Sequence, residues 1–233
     1  MKKEKSIQEQ GSFMNNRRLI LNKNSDFVIR EAYKSLRTNI RFSLHQEDCK
    51  RICITSTAAG EGKSITILNL AISIAETGKK VLLIDADMRR PAQARLLVEK
   101  ATPGLSNVLV GLVSPVDAIR PDIYPNLDIL FSGDVPPNPS ELLGSENMER
   151  LIRDMSQHYD YVLVDTPPVN VVTDASLVAN LLDGVLLLVR KDRSRKDEIK
   201  RAVENLRLAG AKLLGTVLNG ATLQEKKYYK YYG

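Results

Sequence analysis

The chain has 233 residues, 43% hydrophobic and 27% charged, with no tryptophan and a net charge of +6. That length suits one compact α/β domain with tails, and no apolar run is long enough to cross a bilayer. Zinc needs about four ligands, and only His45 and His158 could join the two thiols, so Cys49 and Cys53 read as reduced and structural, Cys53 as buried.

No charged leader followed by an apolar stretch opens the chain, so a cytoplasmic location is expected. The positive charge is concentrated in residues 1–18 and the last ten residues. No aromatic residues interleave with base-edge readers as RNA modules require, which disfavours nucleic acid as a partner.

Residues 1–24 are polar and aperiodic, which predicts a flexible segment. Ser25 is placed to cap a helix over 26–43. Val28, Ala32, Leu36, Ile40 and Leu44 draw an apolar line along it, with Glu31, Lys34, Arg37 and Arg41 elsewhere on the surface. Such a helix either packs on the domain edge or docks its charged face on a neighbouring subunit.

The run Arg51-Ile-Cys-Ile-Thr-Ser-Thr-Ala-Ala-Gly-Glu-Gly-Lys63-Ser64 starts as a buried strand and continues as a glycine loop. Ile65 to Ile74 then follow at helical spacing. Strand, glycine loop, Lys-Ser and helix make a phosphate cradle, because backbone N–H groups and the helix N-terminus both favour anions. Lys63 can reach phosphates, and the Ser64 hydroxyl can ligate Mg²⁺. An ordinary strand-to-helix turn is the alternative, and later aspartates decide against it.

The helix over 63–77 ends at Gly78, and an apolar strand over 80–84 runs into Asp85-Ala-Asp87-Met-Arg89-Arg90-Pro91. Short helices are predicted after Pro91 and over 105–112, a strand over 127–131, and a helix over 148–158. The apolar strand over 161–164 ends at Asp165-Thr-Pro-Pro168. A helix over 174–182, a strand over 184–189, an amphipathic helix over 196–209 and a strand over 212–218 complete the domain, with Asn219-Gly220 at its end. Alternation of strands and helices predicts a mostly parallel sheet with helices on both faces. Ligands bind such sheets outside the carboxyl ends of the strands, where the loop at 57–64, Asp85, Asp87 and Asp165 all fall. Strand-end aspartates beside a phosphate loop hold Mg²⁺, and Asp85 and Asp87 share a face, so one can hold metal while the other takes a proton. Arg89 and Arg90 either face phosphate oxygens or balance the aspartates.

The segments 57–64, 81–91 and 161–165 resemble the Walker A, A′ and B motifs of the bacterial tyrosine kinases, or BY-kinases. The resemblance is to the CapB/CpsD type of capsule and exopolysaccharide systems in Gram-positive bacteria. Asn138-Pro-Ser-Glu-Leu-Leu143 and Asp165-Thr-Pro-Pro168 are also similar to family segments. Thr57 and Ala59 depart from the commonest loop residues.

The resemblance implies a P-loop NTPase-like fold and an ATP-dependent protein tyrosine kinase with ATP and Mg²⁺ as cofactors. Carried over by position, Ala59, Gly60, Glu61, Gly62, Lys63, Ser64, Ile65 and Asn219 would bind the nucleotide, Asn219 at the adenine. Ser64, Asp87 and Asp165 would hold the metal. Lys63, Asp85 and Asp87 would be catalytic, with Asp85 the better candidate for activating the tyrosine. Glu31-Ala-Tyr-Lys34-Ser-Leu-Arg37 resembles the family's EXXRXXR assembly motif, with Lys34 in place of the middle Arg; Lys keeps the charge but loses the bidentate fork. The partners implied are a ring-like homo-oligomer, such as an octamer, and a separate membrane-anchored activator that recruits the chain to the inner face of the membrane. The domain then spans 25–220, after the flexible segment 1–24.

Residues 221–233 form a polar tail holding Tyr228, Tyr229, Tyr231 and Tyr232, half of the chain's eight tyrosines. It reads either as an aromatic tail folded on the surface or as a mobile array of phenols. The resemblance implies that it is autophosphorylated in trans between subunits, as part of regulating polysaccharide synthesis and export. Two other readings compete: an ATPase switch of the ParA/MinD class, whose second lysine would stand where this chain has Ala58, and a catalytically idle nucleotide-binding scaffold.

Overall fold

In a computed structural model of the chain, residues 19–44 and 48–221 are described. The elements run α1 (Phe27–Ser43), β1 (Lys50–Ser56), α2 (Lys63–Ala75), β2 (Val81–Asp85), α3 (Gln93–Leu97), α4 (Leu105–Leu109), α5 (Pro115–Ala118) and β3 (Arg120–Tyr124). They continue with β4 (Leu127–Leu130), α6 (Pro139–Leu143), α7 (Glu146–Met155), β5 (Tyr161–Asp165), α8 (Asp174–Ala179), β6 (Gly184–Arg190), α9 (Lys196–Leu208) and β7 (Leu213–Asn219).

The strands form a seven-stranded sheet in the order β3-β4-β2-β5-β1-β6-β7. All neighbours are parallel except β3, which runs antiparallel to β4 at one edge. This is the mostly parallel sheet with helices on both faces that a P-loop NTPase-like fold requires.

Alternate residues of each central strand enter opposite cores, as the two-residue strand period dictates. Cys53, Leu82, Ile84, Val162 and Val164 pack with α4, α7, α8 and α9 on one face. Ile52, Ile54, Val81, Leu83 and Leu163 pack with α1 and α2 on the other. Burial on both faces explains why β2 and β5 read as unbroken apolar runs. Fully burying each such Leu, Ile or Val contributes about 1.5–3 kcal/mol.

The edge strand β3 was not expected. Its sequence, Arg-Pro-Asp-Ile-Tyr, is largely polar and carries a proline, which only an edge tolerates. The four-residue helix α5 was also missed; Ser114 caps it and Pro115 opens it.

The N-terminal region departs from expectation in three ways. Residues 19–24, expected to be flexible, are held down: Ile20 and Leu21 are buried, and Leu21 N donates to Asn69 Oδ1 at 2.8 Å. The side chain that caps α1 is Asp26, accepting from Val28 N at 2.8 Å, while Ser25 Oγ accepts from Asn22 N instead. The inner face of α1 is Tyr33, Leu36, Ile40 and Leu44; Ala32, assigned to that line, is exposed. The large Tyr33 ring, not Ala32, fills the contact with α2. Residues 1–18, 45–47 and 222–233 lie outside the described residues, and with them His45, Tyr228, Tyr229, Tyr231 and Tyr232.

Candidate active site

The register of the sheet assembles the site. Asp85, the last residue of β2, pairs with Asp165, the last residue of β5. Asp165 pairs in turn with Ile54 of β1, two residues before that strand ends. Three strands therefore deliver their carboxyl ends to one level, and the loop at 57–62 rises beside them.

Glycine is required in that loop. Gly60 and Gly62 have φ of +77° and +100°, a region that favours glycine. A Cβ on Gly62 would also fall 2.3 Å from Asn219 Nδ2. The buried Glu61 folds back, its carboxylate accepting from Thr57 N at 2.9 Å, Thr57 Oγ1 at 2.7 Å and Ala58 N at 3.2 Å. Ser194 Oγ donates to the same carboxylate. From outside, Asn219 Nδ2 donates to Glu61 O at 2.8 Å and Arg193 Nη1 to Gly60 O at 3.2 Å.

A cavity of about 770 Å³ opens over the loop. Ala59, Gly60, Gly62, Lys63, Ser64 and Ile65 line one side, and Asp87, Arg89, Arg90, Pro167, Pro168 and Arg190 contribute elsewhere. Lys63 opens α2 at the cavity wall. Its Nζ lies 2.9 Å from Asp87 Oδ2, 3.4 Å from Asp165 Oδ1 and 3.3 Å from Ser64 Oγ. Burial is the largest single influence on this ammonium and pulls its pKa down. The fields of Asp165, Asp87 and Asp85 and the Asp87 hydrogen bond together overcome it, so the pKa is raised.

Asp85 stands behind the wall, fully buried. Its Oδ2 accepts from Ala92 N at 3.2 Å and Gln93 N at 3.0 Å, and its Oδ1 from Asp87 N at 3.2 Å. Burial, then the neighbouring Asp165 charge, pushes its pKa up to about 7, against the pull of the Gln93 amide and Lys63. Arg89 is tied to a partner: its Nε donates to Asp174 Oδ2 at 2.8 Å and its Nη2 to Ser140 Oγ at 2.9 Å. That contact joins the A′ box to the Asn138–Leu143 segment.

The structure thus brings Lys63, Ser64, Asp87 and Asp165 together. Glu61, Asp85, Asp165 and Asn219 do not line the cavity; the first two brace its backbone, and Asn219 holds the loop. Glu31 and Lys34 pair with each other on α1 at 2.7 Å. Arg37, expected with them on the surface, bonds Ser73 O and lies 3.4 Å from Ser73 Oγ on α2. Both cysteines are free, and Cys53 is buried.

Sequence reasoning missed Gln93, Asp174, Arg190, Arg193 and Ser194. Arg190 ends an apolar strand as Asp85 and Asp165 do, and that rule would have found it. Gln93 opens a five-residue helix with no pattern to mark it.

Oxygen donors fit a nucleotide and Mg²⁺. A Ser hydroxyl and carboxylates are hard ligands, and Mg²⁺ is commonly held by one or two carboxylates together with substrate phosphates. Among the described residues no group of three or more His, Cys, Asp or Glu is placed to hold a metal ion by itself, so phosphate oxygens would have to complete the shell. The missing Cβ at Gly62 makes room for the Asn219 side chain that holds the loop.

A family model described as an AAA domain matches residues 49–207. The chain is 41% identical over 203 residues to tyrosine-protein kinase YwqD of Bacillus subtilis (strain 168), spanning 87% of this chain and 86% of the relative. The crystal structure of the chimerical protein CapA2B2 superposes with a TM-score of 0.77 at 40% identity, over 82% of this chain and 84% of that one. The kinase domain of the Escherichia coli tyrosine kinase ETK superposes with a TM-score of 0.78 at 33% identity, over 84% and 79% of the two chains.

Proposed function

This chain belongs to the bacterial tyrosine-protein kinases, and from that premise we propose that its cavity binds ATP with Mg²⁺ and that Tyr228, Tyr229, Tyr231 and Tyr232 of a neighbouring copy receive the phosphoryl group. The observation that carries the reading is the meeting of Lys63 with Asp87 and Asp165 at the ends of parallel strands, under a glycine loop.

Lys63 keeps its charge at neutral pH, because its pKa is raised, and it opens a 13-residue helix whose N-terminus favours phosphate. Ser64 and Asp165 are the residues that would hold Mg²⁺, with Asp165 in the outer shell; Asp87, also a metal candidate by position, has a different role. The bound cation would neutralise charge on the phosphate oxygens. Asp87 lines the cavity, whereas Asp85 is spent on three backbone amides. Geometry precedes pKa in choosing a base, so we assign phenol orientation and proton acceptance to Asp87 and loop support to Asp85, reversing the order expected from sequence. A phenol of pKa about 10 is protonated at pH 7. The loose transition state of phosphoryl transfer makes orientation matter more than full deprotonation. Asp87→Asn should therefore depress transfer more than Asp85→Asn at equal ATP occupancy.

Among the described residues no helix is long and apolar enough to cross a membrane. A separate membrane-anchored activator, recruitment to the inner membrane face and a ring-like assembly through Glu31, Lys34 and Arg37 complete the proposal. Regulation of capsular or exopolysaccharide synthesis is the outcome it serves. Each phosphate adds about −1.5 to −2 charges, so a phosphorylated tail would outweigh Lys226, Lys227 and Lys230 and weaken such an assembly.

The trans reaction is tested by mixing two variants with Mg²⁺ and ATP. One carries Lys63→Met with an intact tail; the other keeps Lys63 and has all four tail tyrosines changed to Phe. Phosphotyrosine on the Lys63→Met tail is expected, and its absence while wild type labels itself rejects transfer between copies.

A further inference from the structure

One buried residue touches all three motif segments, and nothing in the sequence marks it. Gln93 is fully buried at the start of α3. Its backbone N donates to Asp85 Oδ2 at 3.0 Å. Its side-chain Nε2 donates to Ser64 O at 3.0 Å and to Asp165 Oδ2 at 2.9 Å. The P-loop helix and the Walker B strand therefore meet through one side chain, and the A′ strand joins them through the backbone of the same residue.

The orientation of that amide is fixed by chemistry. Both contacts of Nε2 are to oxygen acceptors, and its two hydrogens satisfy them. Exchanging the amide oxygen and nitrogen would set oxygen against Ser64 O and the Asp165 carboxylate. The Oε1 acceptor is consequently left over, shielded from solvent and without a protein donor. A buried amide oxygen with no donor is costly, and such groups commonly mark a bound water or ion. Here the leftover acceptor belongs to a side chain already bonded to two residues, Ser64 and Asp165, that stand as magnesium-binding candidates.

We propose that Gln93 is a positioning residue for the hydrated divalent cation: its Nε2 sets the direction of the Asp165 carboxylate, and its Oε1 accepts a hydrogen bond from water of the cation's shell. This rests on the ATP·Mg²⁺ reading above. It also explains the division of labour at Asp165. One carboxylate oxygen faces Lys63 and the other faces Gln93, so the group is held from both sides before any ligand arrives. Outer partners of this kind tune metal affinity without touching the metal. Gln93 does not line the cavity and acts through Asp165, so it is not a catalytic residue.

The test uses the full chain and fluorescent ADP titrated with MgCl₂, with Gln93→Met and Gln93→Glu beside wild type. Methionine keeps the length and removes the amide; glutamate keeps an acceptor and removes both donors. The half-saturating Mg²⁺ concentration should rise about 10–100-fold in Gln93→Met, the range seen when outer partners are lost. ADP affinity in EDTA should stay within about twofold, because phosphate contacts to the loop are untouched. Gln93→Glu should retain part of the Mg²⁺ response. A purely structural role predicts lowered melting temperatures with wild-type Mg²⁺ dependence in both variants, and that result overturns the proposal. Should either variant fail to fold, a crystal structure of wild type with ADP and Mg²⁺ decides: a water shared by Gln93 Oε1 and the cation supports the proposal, and an Oε1 facing only carbon or a protein donor rejects it. If wild type binds no ADP, the nucleotide reading itself falls and this inference with it; if it binds ADP with no response to Mg²⁺, the inference falls and the nucleotide reading stands.

Discussion

The strand-end charges and the charges of α1 are built from the same residue types under opposite solvation. Lys63 and Asp87 have side chains only 10% and 6% exposed, whereas those of Lys34 and Glu31 are 51% and 32% exposed. A buried charge requires a partner, and removing one member of a buried pair costs about 3–5 kcal/mol. An exposed ion pair contributes about 0–1 kcal/mol. The strand-end set is thus held in place by the fold itself. The α1 pair contributes little within one chain, so any weight it carries must come from a surface on another molecule. Arg37 lies between these regimes, on α1 but bonded to Ser73 of α2.

Buried charge carries its largest weight at Lys63. Replacing it with Met leaves Asp85, Asp87 and Asp165 without their cation, and urea unfolding at pH 8 should show a loss of about 3–5 kcal/mol. A loss below about 1 kcal/mol, the exposed-pair range, would mean that this cluster behaves like a surface pair.

At Asp85 the cost of burial depends on pH. Its folded pKa is raised to about 7 from the ordinary value of 3.8, so between those values the folded state binds the extra proton. The penalty is absent below the unfolded pKa, grows as pH rises toward 7 and is flat above it. Relative to Asp85→Asn, wild type should lose stability between about pH 4 and pH 7, by a few kcal/mol at about 1.4 kcal/mol per pKa unit. Parallel melting curves for the two proteins across that range would show that the carboxyl is not perturbed.

These two sites were legible because of where their strands stop. Val81 to Ile84 and Tyr161 to Val164 are apolar without interruption; one aspartate closing such a run could merely cap a turn, but several of them beside a glycine loop point to chemistry. The parallel register then carried Asp85 and Asp165 to the same level. What stayed hidden depends on contacts between distant segments. Gln93 sits in a helix too short to show a period, and its partners lie 29 and 72 residues away. The brace on Glu61 comes from Ser194 and Asn219, 133 and 158 residues away. On α1 the choice between Ala32 and Tyr33 as the inner residue turned on side-chain volume against α2, which spacing alone does not reveal.

Arg37→Ala should cost about 1.5–3 kcal/mol, the range for a hydrogen bond to a charged group, because the guanidinium is partly buried on Ser73. The same denaturation measurement checks it, and a neutral result would move Arg37 to the exposed class. Lys34→Ala should be the smallest effect, within about 0.5 kcal/mol in chain stability. Sedimentation velocity on that variant reads the other half of the comparison: weakened self-association is expected if α1 meets a second subunit. Unchanged association would remove Lys34 from any interface.

In the proposed reaction Lys63, held by strand-end carboxylates, receives the triphosphate whose terminal group passes to tyrosine. Its most direct test is mass-spectrometric phosphotyrosine mapping of the purified chain after incubation with ATP and Mg²⁺. Wild type should carry phosphate on Tyr228, Tyr229, Tyr231 or Tyr232, and Lys63→Met, verified as folded by a cooperative melt, should carry none. Equal labelling of the folded Lys63→Met chain would contradict the account.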